Sequence, residues 1–99
     1  MATNPNPRPS LGLSVADSSR IALEHGVVPI FGAYVGRVRP DSPGARAGIQ
    51  PGDIVTEVNL RPVRNASDLE KAMESVSAGG RVVLVWVRGQ QTVRSEVAV

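Results

Sequence analysis

The segment 42–55 limits most strongly what this chain can fold into, because it combines signals for a helix start, a helix end and a strand start. Ser42 is a favourable N-cap residue, and Pro43 suits the first helical position because its missing N–H needs no partner there. Gly48 predicts that the helix ends in a left-handed turn. The β-branched residues after Gly52 predict a strand. This helix is therefore short, and a strand follows it closely.

An alternation of apolar with small or polar residues, which is the period of a β-strand, recurs in much of the remaining chain. Leu11, Leu13 and Val15 fall on one face of a first short strand. Gly89 and Gln90 separate two strand-like segments and are typical of a tight hairpin. The predicted strands cover residues 11–16, 32–38, 53–59, 60–63, 81–88 and 92–99.

The longest predicted helix covers residues 68–76. Ser67 and Glu70 have the spacing of a capping box, in which each side chain bonds a backbone N–H near the other residue. Apolar residues follow at the i, i+3, i+4, i+7 spacing of a single helical stripe. The stripe consists of Leu69, Ala72, Met73 and Val76. We therefore expect one face of this helix to pack against a core.

The first third of the chain is less regular. Three prolines in residues 1–9 disfavour a helix and predict an extended tail or linker, so the domain is expected to cover 10–99. Cap-type residues predict a short helix over 18–25. The apolar, proline-containing segment 27–31 is expected to be a loop that packs over the core.

These elements predict a single α+β domain. The chain has 99 residues, which is the size of one domain. Its strands outnumber its helices and do not alternate with them as a parallel sheet requires. Curling an antiparallel sheet toward a small barrel protects its edges. We therefore predict a small, partly open β-barrel of five to six short strands with two to three short helices.

The composition excludes most chemistry. The chain contains no cysteine and one histidine, so disulfides, thiolate metal sites and histidine clusters are excluded, and neither a metal nor a cofactor is expected. The net charge is +2 and the arginines are dispersed, which argues against nucleic acid as a partner. The longest apolar run is far shorter than a membrane-spanning helix, so no membrane insertion is expected. No signal-peptide pattern opens the chain.

Two segments resemble the PDZ domain family. Residues 42–55 resemble its S-P-A-x-x-A-G-L-x-x-G-D-x-I signature, and residues 59–69 resemble its N-G-x-x-V-x-x-x-x-D-L block. Residues 11–13 stand where the PDZ domains of HtrA (DegP-like) serine proteases have a hydrophobic–Gly–hydrophobic loop, and 32–35 match their G-A-x-V strand. The order and spacing agree over about 90 residues, from near 10 to 99.

Two positions depart from the family pattern. Leu60 stands where a glycine usually follows Asn59, so the preference of Asn-Gly for a type I′ turn is lost. Gly44 replaces the usual alanine and is expected to weaken the first helix by roughly 0.5–1 kcal/mol.

The resemblance implies a module that binds peptides by adding them as a strand to a sheet edge beside a helix. It assigns the peptide's C-terminal carboxylate to the backbone N–H groups of Leu11, Gly12 and Leu13, which we call the carboxylate-binding loop. The peptide would pair with the strand formed by Ser14, Val15 and Ala16. The helix residues assigned to the groove are Asp68, Ala72, Met73, Ser75 and Val76.

The resemblance also implies a biological setting. The expected ligands are hydrophobic C-termini or extended unfolded segments. The expected role is that of a regulatory or substrate-recognition domain in an HtrA-like serine protease of the bacterial periplasm, with an oligomeric parent protein. The domain itself is not expected to be an enzyme, because its single histidine has no catalytic context.

Several alternatives remain open at this stage. Leu11 and Leu13 can be ordinary core residues, and so can the helix stripe. Asp68 can serve the helix N-terminus, where a negative charge is favourable. The apolar residues that lead to Val99 can bind in a neighbour's groove or pair in their own sheet. The domain can also be an architectural module that holds domains or protomers together.

Overall fold

The computed structural model describes residues 11–20, 30–76 and 79–99. The predicted tail over 1–9 and most of the predicted helix over 18–25 lie outside these residues. In chain order the elements are β1 Leu13–Asp17, β2 Ala33–Val38, α1 Pro43–Ala47, β3 Ile54–Val58, β4 Arg61–Pro62, α2 Ala66–Glu74, β5 Arg81–Arg88 and β6 Gln91–Ala98.

The six strands form one antiparallel sheet in the order β1-β2-β3-β5-β6, with β4 paired to β3. Among the described residues β1 and β6 do not pair with each other, so the sheet is not closed. A helical turn at residues 18–20 adds to α1 and α2. The predicted α+β fold, a small and partly open barrel with these numbers of strands and helices, is confirmed.

The core is built from aliphatic residues and one tryptophan. Val82, Leu84 and Trp86 alternate on one face of β5 and are at most 1% exposed. The opposite face of β5 is only half-buried, so this strand is fully covered on one side only. All four residues of the predicted helix stripe are buried. No helix in the described ranges has the length and apolarity needed to cross a bilayer.

Helix α1 begins and ends as the sequence predicts. The Ser42 hydroxyl accepts the Ala45 N–H at 3.2 Å, and Pro43 occupies the first turn. Gly48 has a φ of 101°, so the chain leaves the helix in the left-handed region that glycine tolerates. Ile49 then packs back into the core.

The structure corrects the expectation that Gly44 only weakens α1. Its N–H donates to the Leu11 carbonyl at 2.9 Å. A Cβ at this position would lie 2.8 Å from that carbonyl oxygen and 2.7 Å from Leu13 Cδ2, closer than real Cβ atoms approach. Glycine therefore allows α1 to pack directly against the carboxylate-binding loop.

The turn between β3 and β4 keeps two left-handed residues without the usual glycine. Asn59 has a φ of 49° and Leu60 a φ of 68°. Asn59 N–H donates to the Val83 carbonyl, and its side-chain oxygen accepts the Val83 N–H, each at 2.8 Å. These two bonds hold the turn against β5. Leu60 is 80% exposed at the tip of the turn, so the packing of its side chain offsets little of the cost of its left-handed backbone.

Helix α2 begins earlier than predicted, and its cap is a different residue. Asn65, not Ser67, is the N-cap, and its side-chain oxygen accepts the Asp68 N–H at 2.8 Å. The Asp68 carboxylate in turn accepts the Arg64 N–H at 3.0 Å. The pair is reciprocal, like the predicted box, but it is shifted toward the N-terminus because asparagine caps as well as serine does.

Two further expectations are corrected near the N-terminal side of the sheet. β1 begins at Leu13 rather than two residues earlier, because Gly12 has a φ of 73° and cannot continue an extended strand. Ile30 and Phe31, the described end of the expected covering loop over 27–31, are 45% and 61% exposed and therefore do not cover the core.

The end of the chain is held in its own sheet. Val97 is 8% exposed, and β6 pairs with β5 along its whole length. Val99 N–H donates to the Gly80 carbonyl at 2.9 Å, and its carbonyl accepts the Gly79 N–H at 2.7 Å. The structure therefore shows the second of the two alternatives for this tail, in which it completes its own sheet.

Candidate peptide-binding site

Strand β1 is the open edge of the sheet. Among the described residues it pairs only with β2. The other edge strand, β6, is in contact with α1, and Arg46 Nη2 donates to the Ala98 carbonyl at 3.2 Å. An edge strand with unpaired backbone groups is a template for a further strand. Strand addition is therefore expected at β1.

The side chains of β1 alternate between the core and the outer face of the sheet. Leu13 and Val15 pack against the core, whereas Ser14 is exposed. The pairing with β2 is irregular between Ser14 and Val15, and the register places the extra residue, Gly36, on β2. The alternation along β1 is therefore preserved, and Ala16 lies on the outer face with Ser14.

The start of α1 holds the carboxylate-binding loop from behind. Leu11 is buried, and its carbonyl accepts the Gly44 N–H. The Gly12 carbonyl accepts the Arg39 N–H at 2.8 Å. A Cβ on Gly12 would lie 2.3 Å from Ser42 Cβ, and its φ is positive, so only glycine fits this position.

These contacts also fix the direction of the loop's amides. In a trans peptide unit the C=O and N–H groups point in opposite directions. Because the Leu11 carbonyl points at α1, the Gly12 N–H points away from it. By the same reasoning the Leu13 N–H points away from Arg39. These directions are compatible with the anion-binding nest that the resemblance implies for this loop.

Helix α2 begins beside β1 at the end of the strand that is remote from this loop. The Ala66 N–H, in the first turn of α2, donates to Asp17 Oδ1 at 2.9 Å. Asp17 is the last residue of β1. The bond therefore fixes the start of the helix beside the end of the strand. A peptide added to β1 would have α2 on one side and would run with its C-terminus toward the carboxylate-binding loop.

Three of the five helix residues assigned to the groove lie in the core, and a fourth, Ser75, is exposed. Ala72, Met73 and Val76 are 5%, 7% and 9% exposed, so in this structure they pack within the core. The Ser75 hydroxyl donates to the Ala72 carbonyl at 2.9 Å. Contact of these residues with a peptide remains a prediction.

Asp68, the fifth of these residues, forms a hydrogen bond at the start of α2. Its bond to the Arg64 N–H is the role that a negative group near a helix N-terminus favours. It also lines a cleft of about 270 Å³ together with Arg61 and Lys71, on the side of α2 that faces β4. The structure thus places Asp68 with β4, and a role in the groove is a prediction that this position does not support.

A second cleft, of about 390 Å³, adjoins the carboxylate-binding loop. Gly12, Leu13 and Ser14 line it together with Arg37 and Arg39. The sequence pattern by itself assigns no role to these two arginines.

The ion pair between Arg88 and Asp53 is a second feature that was not predicted from the sequence. Arg88 Nε donates to Asp53 Oδ1 at 2.9 Å, and Arg88 Nη2 donates to Asp53 Oδ2 and to the Gly48 carbonyl, each at 2.8 Å. The Gln50 N–H donates to the same Asp53 Oδ2. This network ties the end of β5 to the turn that leaves α1. The relevant signal was the Gly-Asp pair in the family signature.

The pKa of Asp53 reflects opposing effects. Burial by itself raises the pKa of this carboxyl, but the Arg88 hydrogen bonds, the Gln50 N–H and the Arg88 charge outweigh it. The net pKa lies below the ordinary value of 3.8. The hydrogen bond to Asp53 correspondingly raises the pKa of Arg88.

The sheet, the flanking helix and the open edge define a peptide-binding type of domain, and its family follows from comparison. A model of the PDZ domain family matches residues 34–88, more than half of the chain. The chain belongs to the PDZ domain family, whose domains are binding modules.

Its relatives are serine proteases of the HtrA/DegP type. The chain is 36% identical to the putative serine protease HhoB of a Synechocystis species over 70% of its own length and 17% of that protein. It is 36% identical to a probable periplasmic DegP-like serine endoprotease of Brucella suis, over 67% of its length and 13% of that protein. The chain thus spans less than a fifth of either relative.

A solved structure agrees at the level of the whole fold. The HtrA3 PDZ domain bound to a phage-derived ligand (FGRWV) superimposes with a TM-score of 0.76 and 32% sequence identity. The match covers 93% of this chain and 84% of that one. The chain is therefore similar to a PDZ domain that has been observed with a peptide bound.

Proposed function

We propose that this domain binds hydrophobic C-termini and extended segments by strand addition to β1. The observation that carries the proposal is the open edge of β1, which has α2 on one side and the glycine-containing carboxylate-binding loop at its start. The peptide-bound HtrA3 PDZ domain supports it by similarity. Backbone hydrogen bonds supply affinity in this mode of recognition, and side-chain pockets supply selectivity.

Each part of the site has a distinct task. The carboxylate-binding loop, Leu11, Gly12 and Leu13, is assigned to the terminal carboxylate. Leu11, Leu13 and the apolar face of α2, with Met73 and Val76, accept the last side chain. Ser14, Val15 and Ala16 pair with the peptide backbone. Affinity is expected to be about micromolar, because few bonds must offset the ordering of a flexible peptide.

We further propose that residues 10–99 form the domain, with 1–9 as a tail or linker, and that it serves as the regulatory or substrate-recognition domain of an HtrA-like serine protease. The relatives named above support this role, and the DegP-like relative supports a periplasmic location. The active site of such a protein would lie outside this chain, and oligomerisation of the parent protein is part of the same proposal.

The test is a calorimetric titration with a peptide that ends in a hydrophobic residue, compared with its C-terminally amidated form. We expect the free carboxylate to bind at least tenfold more tightly, because amidation removes the charge that the loop amides recognise. Equal affinity for both forms would overturn carboxylate recognition.

An architectural role is the second candidate. Phe31 and Leu60 are 61% and 80% exposed, so both side chains are accessible for contacts with another domain. Gly12→Asp places a charge and a Cβ in the carboxylate-binding loop. Loss of peptide binding without a change in assembly of the parent protein supports the peptide-binding function, and the reverse supports the architectural one.

A further inference from the structure

Two arginines lie on the outer face of the sheet beside the open edge. Arg37 stands opposite Ser14 in the register of β1 and β2. Arg39 follows two residues later, next to Gly12, whose carbonyl accepts its N–H. Both side chains are exposed, and both residues line the 390 Å³ cleft that continues from the carboxylate-binding loop.

Neither guanidinium is neutralised within the part of the chain that the structure describes. Asp53 pairs with Arg88 and Glu96 with Arg81, whereas no carboxylate of the described residues lies within ion-pair distance of Arg37 or Arg39. These two arginines line the same cleft, and their like charges repel each other. A negative group placed between them would relieve this repulsion and gain attraction from both.

Strand addition places one ligand side chain in this position. If the last ligand residue lies against Leu13, where the loop would hold its carboxylate, the penultimate residue lies opposite Ser14. Residues directly opposite in neighbouring strands share a face. The penultimate side chain therefore projects on the outer face, two strand spacings or about 10 Å from the backbone of Arg37. An arginine and a glutamate side chain together span that distance.

We infer that Arg37 and Arg39 select ligands with an acidic residue, aspartate or glutamate, at the penultimate position. This inference rests on the proposed function, and it extends that function from the hydrophobic last residue to the charge of the residue before it. The penultimate side chain would be recognised on the face of the sheet opposite to α2. Selection for the hydrophobic last residue and selection for the acidic penultimate residue therefore act on opposite sides of the ligand strand.

The test uses C-terminal heptapeptides that differ only at the penultimate residue, which is glutamate, glutamine or lysine, and an amidated form of the glutamate peptide. At low salt we expect the glutamate peptide to bind about three- to fivefold more tightly than the glutamine peptide, and the lysine peptide to bind most weakly. The preference for the glutamate peptide should decrease when the salt concentration is raised to about 0.5 M, because exposed charges are strongly screened there.

The double variant Arg37→Gln and Arg39→Gln should bind the glutamate and glutamine peptides equally, with unchanged affinity for the glutamine peptide. Arg94→Gln is the matched control, because Arg94 is an exposed strand arginine on the far edge strand β6, and it should keep the preference. A preference that survives in the double variant overturns the inference.

The outcomes also separate this inference from the function on which it rests. Equal affinity of the wild-type domain for the glutamate and glutamine peptides, with amidation still harmful, overturns the charge selection and leaves strand addition intact. Absence of binding, or binding that ignores amidation, overturns both.

Discussion

Arg88 donates hydrogen bonds from two nitrogens to the buried carboxylate of Asp53, at 2.9 and 2.8 Å, and links this carboxylate to the turn after α1. The Asp53 side chain is 2% exposed, whereas that of Arg88 is 40% exposed. The pair joins the last turn of α1 to β5, and the first turn of α1 supports the carboxylate-binding loop. The ion pair thus helps to hold the helix against which the carboxylate-binding loop packs.

Removal of the arginine should be costly. Arg88→Gln leaves Asp53 buried without its charged partner, and we expect the free energy of unfolding to fall by about 2–3 kcal/mol, below the usual range for buried pairs because Arg88 is partly exposed. Urea unfolding followed by the fluorescence of Trp86, the only tryptophan, measures this change. The matched control is Arg81→Gln, which breaks the exposed pair with Glu96 and should change stability by less than about 0.5 kcal/mol. Equal effects of the two variants would show that the buried pair has no special weight.

The same pair predicts how stability depends on pH. The folded-state pKa of Asp53 lies below its ordinary value of 3.8, so the ionised carboxylate stabilises the fold above that pH. This stabilisation should be lost as the pH falls through the lowered pKa. Unfolding free energies of the wild type and of Asp53→Asn, measured between neutral pH and pH 2, should therefore converge at the acidic end. Curves that stay parallel would assign the acid sensitivity to other carboxylates.

Leu60 predicts a stabilising substitution. A non-glycine residue in the left-handed region costs roughly 1–2 kcal/mol, and at 80% exposure the Leu60 side chain recovers little of it. Leu60→Gly should raise the free energy of unfolding by about 0.5–1 kcal/mol, after the greater flexibility of glycine in the unfolded chain is subtracted. Leu60→Ala shortens the side chain but keeps the Cβ and should not stabilise. A gain in both variants would attribute the effect to the exposed apolar surface instead of the backbone.

Much of this fold is predictable because its turns are marked by local chemistry. Ser42, Pro43 and Gly48 define α1 by themselves, and Gly89 with Gln90 defines the last hairpin. The N-cap of helix α2 was not predictable, because Asn65 and Ser67 are both good caps. The choice between them depends on where the chain leaves β4.

The arrangement of the candidate site was predictable to the same extent, whereas its role in binding stays a prediction. The carboxylate-binding loop and the edge strand β1 follow from sequence pattern and resemblance, and they lie together at the open edge. The role proposed for Arg37 and Arg39 and the ion pair of Arg88 depend on pairing across strands and on contacts distant in sequence. Neither spacing nor composition distinguishes these three from the other dispersed arginines.

Gly44 joins the fold to the function and gives the last prediction. Helix propensity alone predicts that Gly44→Ala stabilises α1 by about 0.5–1 kcal/mol. The packing predicts the opposite, because the new Cβ would overlap the Leu11 carbonyl and the Leu13 side chain. We expect a loss of about 1–3 kcal/mol, as for other overpacked sites, together with weaker binding of C-terminal peptides because the carboxylate-binding loop must move. Ser67→Ala, at an exposed position in α2, is the control and should change stability little. If Gly44→Ala stabilises the domain and leaves peptide affinity unchanged, α1 does not position the loop.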